Sequence, residues 1–295
     1  MTARAVFFAP SGLLRAPWRI AGAVVVFFAT AKVAGWIIGA VWPARGGFVW
    51  SISAGVAVYL IAAWAASFVM LRLVDKRPWS SIGLGRMQAT PRQLAAGFAL
   101  GALGILLPSG ALLLSHELSV GVPLHPGGTW ASNALVLAVV LLPAALSEEI
   151  ISRGYIFAAI RESIGPVWAV VLTSAGFAAL HLGNPGVEMR DIALVALAGV
   201  WLSTIVVLTR SLWAATAAHF AWNWAMGAVL HSPISGIAIP VSGYTTVSTG
   251  PDWLTGGAWG PEGGVAAALG MGAGIIAVAA WKRRRGAPAL EFANG

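Results

Sequence analysis

The chain reads as eight long apolar runs separated by short polar or basic connections, with boundaries near 19–42, 49–71, 93–115, 132–161, 166–181, 191–209, 212–230 and 264–281. A helix of about 20 apolar residues is long enough to cross the hydrocarbon core of a bilayer. Lipid offers a backbone no hydrogen bonds, so each run is expected to be an α-helix. The expected fold class is therefore all-α: a polytopic integral membrane protein of about eight transmembrane helices bundled around an intramembrane polar site. One transmembrane domain over 1–295 is expected, with its chemistry-bearing core at about 130–230 and an outer loop at about 231–263. Gly-rich patches, Gly97 to Gly101 and Gly270 to Gly274, permit close helix approach.

Composition agrees with this pattern. The chain is 58% hydrophobic and 9% charged with a mean hydropathy of +0.82, against about 25% charged residues in a soluble domain. The net charge of +8 does not point to nucleic acid, because the basic residues flank apolar runs, where topology accounts for them. With the N-terminus in the cytoplasm, 15 of the 18 Lys and Arg residues, from Arg4 to Arg285, fall on the inner side. Only Arg45 and Arg190 fall outside, and Lys32 lies within the first run. Both termini are thus expected to be cytoplasmic, in a plasma-membrane protein. The first apolar run, Ile20 to Trp42, is longer than a signal-peptide core and reads as a retained span. The absence of cysteine excludes disulfides, zinc–thiolate sites and thiol nucleophiles.

One run breaks the apolar pattern. Ser147-Glu148-Glu149-Ile150-Ile151-Ser152-Arg153 sets three ionisable groups inside a span. Each costs roughly 2.5–3.5 kcal/mol at the bilayer centre, so the cluster must face protein or a wet cavity and reads as functional. The other carboxylates, from Asp75 to Glu291, fall in loops, tails or helix ends. Glu149 and Arg153 are spaced i, i+4, as an ion pair requires, which leaves Glu148 without a local cation. Of the histidines His116, His125, His181, His219 and His231, only His219 lies clearly inside a span, while His181 closes the fifth. His219 and Asn223 share a helix face, and Phe177 reads as packing. At about 1.5 Å per residue, Glu148 and His181 lie roughly 21 Å from the inner surface, with His219 and Asn223 at roughly 12 and 18 Å. With helix tilt, one layer within the membrane can hold all four.

A carboxylate and an imidazole can position and deprotonate a water. An imidazole and an amide can donate to a developing oxyanion. Those are the needs of amide hydrolysis. Other intramembrane protease signatures are absent: there is no His-Glu-x-x-His, no Gly-x-Ser-Gly and no aspartate within a span.

Glu148-Glu149-x-x-x-Arg153, Phe177-x-x-x-His181 and His219-x-x-x-Asn223, in that order, resemble the three motifs of the CPBP family, the CAAX prenyl proteases and bacteriocin-processing enzymes also called Abi. The linker Arg77 to Leu84 and the segment Trp253 to Gly264 are also similar to family members. The resemblance implies an intramembrane endopeptidase in which Glu148 activates water with His181, His219 and Asn223 bind the oxyanion, and Glu149 and Arg153 order the site. Its partners would be the bilayer and a membrane-embedded or lipidated peptide. Family members are often described as metalloproteases, and Glu148, His181 and His219 could supply three ligands to Zn²⁺. A metal-free glutamate mechanism uses the same residues and is the reading preferred. The alternatives are a non-catalytic binding or bacteriocin-immunity protein and a proton-coupled transporter. Against transport, the chain shows no internal repeat. Two connections stand apart: the linker after Asp75, read as an amphipathic anchor on anionic lipid, and the outer loop, whose Tyr244, Trp253 and Trp259 read as interface aromatics.

Overall fold

The computed structural model describes residues 6–41, 47–122, 129–240 and 243–284. His125, Glu291 and the charges Arg4, Arg45 and Arg285 weighed above lie outside the described residues. In chain order the elements are α1 (Ala16–Val41), α2 (Gly47–Ser67, running into a π-helical turn Phe68–Val74), α3 (Pro91–Leu114), β1 (Leu118–Gly121), α4 (Trp130–Arg153), α5 (Tyr155–Ile164), α6 (Pro166–Ala179), α7 (Met189–Thr209), α8 (Leu212–Trp224, running into a π-helical turn Ala225–Leu230), β2 (Thr245–Ser248), α9 (Asp252–Thr255) and α10 (Val265–Arg284).

Six helices among the described residues are long and apolar enough to cross a membrane, not the eight expected. They are α1, α2, α3, α4 taken with α5, α7 and α10. The two that fall short are α6 and α8. Helix α6 has 14 residues, which at 1.5 Å per residue cover about 21 Å, against about 30 Å of hydrocarbon. Helix α8 continues through its π-helical turn to Leu230 and is long enough, but Thr216, His219 and Asn223 keep it from being uniformly apolar. For α8 the reason is position. Helix α8 is the centre of the bundle, with Ala215, Ala218 and Ala221 fully enclosed. A helix surrounded by helices need not be uniformly apolar, so it can carry His219 and Asn223. The fourth apolar run is also two helices rather than one, broken at Gly154. A Cβ there would run into the carbonyl of Ile150, so only glycine lets the chain turn.

The main core gathers Ile105 of α3, Leu141 of α4, Trp201 and Ile205 of α7, Trp222 and Met226 of the α8 segment, and Met271 of α10. Helix α3 lies directly on α8. Added Cβ atoms at Gly97 and Gly101 would collide with the carbonyl oxygens of Ala214 and Ala218, which is the close approach that small residues four apart allow.

Two expectations about connections are corrected. The linker after α2 is packed onto the bundle by one side: Ile82 and Leu84 are buried against Tyr155 and Leu212, Leu212 N donates to Gly83 O at 3.0 Å, and Lys76, Pro78, Ser80, Arg86 and Met87 stay exposed. The outer loop is folded over the bundle, its β2 pairing antiparallel with β1. Trp259 is 3% exposed and Tyr244 stacks on His231 at 4.1 Å, leaving Trp253, 56% exposed, as the interface aromatic.

At the opposite end a polar knot ties α1 to the rest. Arg19 donates to Tyr155 Oη at 2.9 Å, Glu162 Oε2 at 2.8 Å and Asp75 Oδ2 at 2.5 Å, while Tyr155 Oη also donates to Asp75 at 2.8 Å. Arg77 reaches Glu162 Oε1 at 2.5 Å.

Candidate active site

Consecutive residues on a helix point about 100° apart, so Glu148 and Glu149 of α4 enter different surroundings. Glu149 is fully buried, whereas the Glu148 side chain keeps 35% of its surface exposed. Glu149 Oε1 accepts from Arg153 Nη1 and from His219 Nδ1, each at 2.9 Å. Its second oxygen, Oε2, is buried with no hydrogen-bond partner among the described residues.

Arg153 is held on every side. Beyond Glu149, its Nη2 donates to Gly199 O at 3.1 Å and its Nε to Ser203 Oγ at 3.4 Å, both on α7. Its guanidinium carbon stands 4.3 Å from the centre of the Phe177 ring, a cation–π contact in a desolvated place.

His219 sits between the two glutamates. With Nδ1 donating to Glu149, Nε2 faces Glu148 Oε2 at 3.7 Å, beyond direct hydrogen-bonding distance. His181 lies in the turn just past α6, where its Nδ1 stands 2.8 Å from the carbonyl oxygen of Phe177. A carbonyl only accepts, so Nδ1 carries the proton and the neutral ring keeps its lone pair on Nε2. The same bond satisfies one of the open carbonyls at the end of α6. Phe177 touches both imidazoles, its ring centre 4.9 Å from that of His181 and 5.9 Å edge-on from that of His219. Asn223, one turn beyond His219, is half-buried and its side chain makes no hydrogen bond to the described residues.

Of the six residues singled out in the sequence, Glu148, Glu149, Arg153 and His219 form one contiguous cluster, and Phe177 joins His181 to it. Phe177 is more than packing. Sequence reasoning missed Gly199 and Ser203, whose only signal is a small and a hydroxyl residue four apart on one helix. It also missed Trp259, which packs with Phe177, Ala178 and Val195. Glu262 accepts from Trp222 Nε1 at 3.0 Å and from Ser235 N and Oγ at 2.5 and 2.7 Å. The 231–263 loop is therefore bonded to the residue beside Asn223.

As a metal site the arrangement is incomplete. Glu148 and His219 stand at a spacing two ligands of one ion can have, but among the described residues no three His, Asp or Glu side chains converge to hold one.

Residues 130–225 match the family model of type II CAAX prenyl endopeptidases, Rce1-like. The matched segment contains all six candidate residues, and the resemblance carried by the three motifs is borne out. The Rce1-like family implies a protease, and together with the six apolar helices it marks an integral membrane protein. No curated protein and no solved structure matches the chain.

Proposed function

We propose that the protein is an intramembrane endopeptidase of the CAAX-processing type that hydrolyses a peptide bond with a water activated by Glu148 and His181. The observation that carries this reading is the position of Glu148. It is partly exposed, 3.7 Å from His219 Nε2, and backed by a fully buried carboxylate that is itself bonded to Arg153 and His219. The buried pair orders the site while the neighbouring carboxylate stays accessible for chemistry.

In this mechanism Glu148 takes a proton from the water as its oxygen bonds to the scissile carbonyl carbon. The lone pair on His181 Nε2 helps to orient that water. The carbonyl oxygen becomes an oxyanion and receives hydrogen bonds from the Asn223 amide and from Nε2 of doubly protonated His219. The carbon–nitrogen bond then breaks as the proton held by Glu148 passes to the leaving nitrogen. Glu149 and Arg153 are positioning residues.

A membrane-associated prenylated substrate is supported by an apolar cavity of about 330 Å³ between α1, α2, α4, α5 and α6, lined by Phe27, Ala63, Ile150, Tyr155 and Phe177 among others. Phe177, whose ring touches both imidazoles, is part of its lining. The same reading treats 1–295 as one transmembrane domain with both termini at the cytoplasmic face of the plasma membrane, in keeping with the charge asymmetry of the sequence.

The test is cleavage of a prenylated CAAX peptide by purified protein with and without Glu148→Gln. Loss of cleavage at an unchanged melting temperature is expected. Wild-type-like cleavage by the folded variant would overturn the mechanism.

A further inference from the structure

A cavity larger than the one beside Phe177 lies away from the candidate active site. It is an apolar groove of about 660 Å³ between α3 and α10, floored by Ile205 of α7 and Ala214 of α8. Gln93, Leu103 and Leu107 form one wall, and Ala273, Ala277 and Trp281 form the other. From Gln93 to Leu107, α3 rises about 21 Å, somewhat more than one leaflet of a hydrocarbon core about 30 Å thick. The groove is therefore sized for one extended acyl chain. Its floor is fixed, because Gln93 Nε2 donates to Thr209 O at 3.2 Å and ties the end of α3 to the end of α7.

The two ends of the groove differ in charge. At the Gln93 end three of the four lining helices carry basic side chains next to their last lining residue: Arg92 beside Gln93, Arg210 after Thr209, and Lys282, Arg283 and Arg284 after Trp281. Among the described residues no acidic side chain pairs with Arg92, Lys282, Arg283 or Arg284. Asp75 and Glu162, acidic groups of the polar knot, are taken by Arg19 and Arg77. At the far end the groove closes among Leu107, Pro108 and Leu269 with no charge.

An apolar slot about one leaflet deep with a basic mouth on three helices complements one kind of molecule. We propose that this groove is a binding site for an anionic phospholipid, one acyl chain lying between α3 and α10 and the phosphate among Arg92 and Lys282 to Arg284. Basic pockets between membrane helices recognise anionic head groups through these same forces. This site is independent of the hydrolytic reading.

The experiment is native mass spectrometry of the full chain in mild detergent, equilibrated with equal amounts of phosphatidylglycerol and phosphatidylcholine bearing identical acyl chains. Retention of phosphatidylglycerol is expected to exceed that of phosphatidylcholine by about fivefold for each basic side chain engaged. Ala277→Phe, which fills the groove from an exposed position, should lower retention of both lipids. The triple change Lys282→Gln, Arg283→Gln, Arg284→Gln should abolish the preference while leaving residual binding of both. Equal retention by the wild type would overturn the proposal, as would an undiminished preference in the triple variant. Undiminished retention in Ala277→Phe would equally reject the acyl slot and leave only surface binding of lipid.

Discussion

Glu149 Oε1 and His219 Nδ1 lie 2.9 Å apart although the two residues are 70 positions apart in the chain, on different helices. This one hydrogen bond joins the first motif to the third. The same oxygen also accepts from Arg153, so two donors converge on one oxygen of a carboxylate that has no access to water. Glu149 thereby sets the orientation of the imidazole that faces Glu148.

Replacing Arg153 tests that arrangement. Arg153→Ala leaves a buried carboxylate without its cation, and breaking such a pair costs about 3–5 kcal/mol. The variant is expected to melt at lower temperature in detergent and to lose cleavage together with stability. Arg153→Lys should restore little, because an ammonium cannot keep the Gly199, Ser203 and Phe177 contacts together. Thermal scans of both variants beside the wild type check this. An unchanged melting curve in Arg153→Ala would place the residue in the chemistry instead.

Glu148 and His181 are expected to fail as a unit. Each of Glu148→Gln and His181→Ala should lower kcat by about the same factor, and the double variant should lower it no further. A double-mutant cycle on cleavage rates reads this directly. Independent, multiplying losses would separate the two roles.

Chelation is expected to leave cleavage by the purified protein unchanged, since Glu148 and His219 lack a third converging ligand among the described residues. The measurement is the cleavage rate after dialysis against a chelator and after return of Zn²⁺. Loss on dialysis with recovery on Zn²⁺ would require His181 to swing toward the other two.

Trp259→Ala should weaken cleavage by about tenfold with a modest loss of stability, because it removes the packing on Phe177 and loosens the ring that spaces the two imidazoles. Trp253→Ala, an exposed neighbour in the same loop, should leave the rate unchanged. Parallel kinetics of the two variants separate a specific contact from a general effect of the loop.

Local pattern carried much of this site. The i, i+4 spacing of Glu149 and Arg153 fixed their pairing, and the carboxylate left over was the exposed one. Helix depth brought the motifs to a common level. What local pattern could not carry was partnership across the chain. Ser203 and Gly199 become visible only through the guanidinium they hold. Trp259 and Glu262 sit in a stretch whose composition says loop, and its Phe177 and Trp222 contacts depend on the tertiary fold. Six helices rather than eight meet the length and hydropathy of a span for a related reason: hydropathy measures what lipid tolerates, and α8 is solvated mostly by other helices.

The knot around Arg19 has a consequence for how freely the first helix can vary. Helix α1 has only 6% of its most apolar stretch enclosed by protein, and its buried residues are Arg19, Ala23 and Ala34. Outside the residues that line the cavity beside Phe177, Val24, Phe27 and Phe28 among them, its outward positions are interchangeable with others of like hydropathy, so apolar exchanges such as Val25→Leu or Ile37→Val should pass unnoticed. Position 19 has no such freedom. A helix constrained at its foot and along one cavity wall would drift in sequence at its outward positions while remaining anchored in the same place.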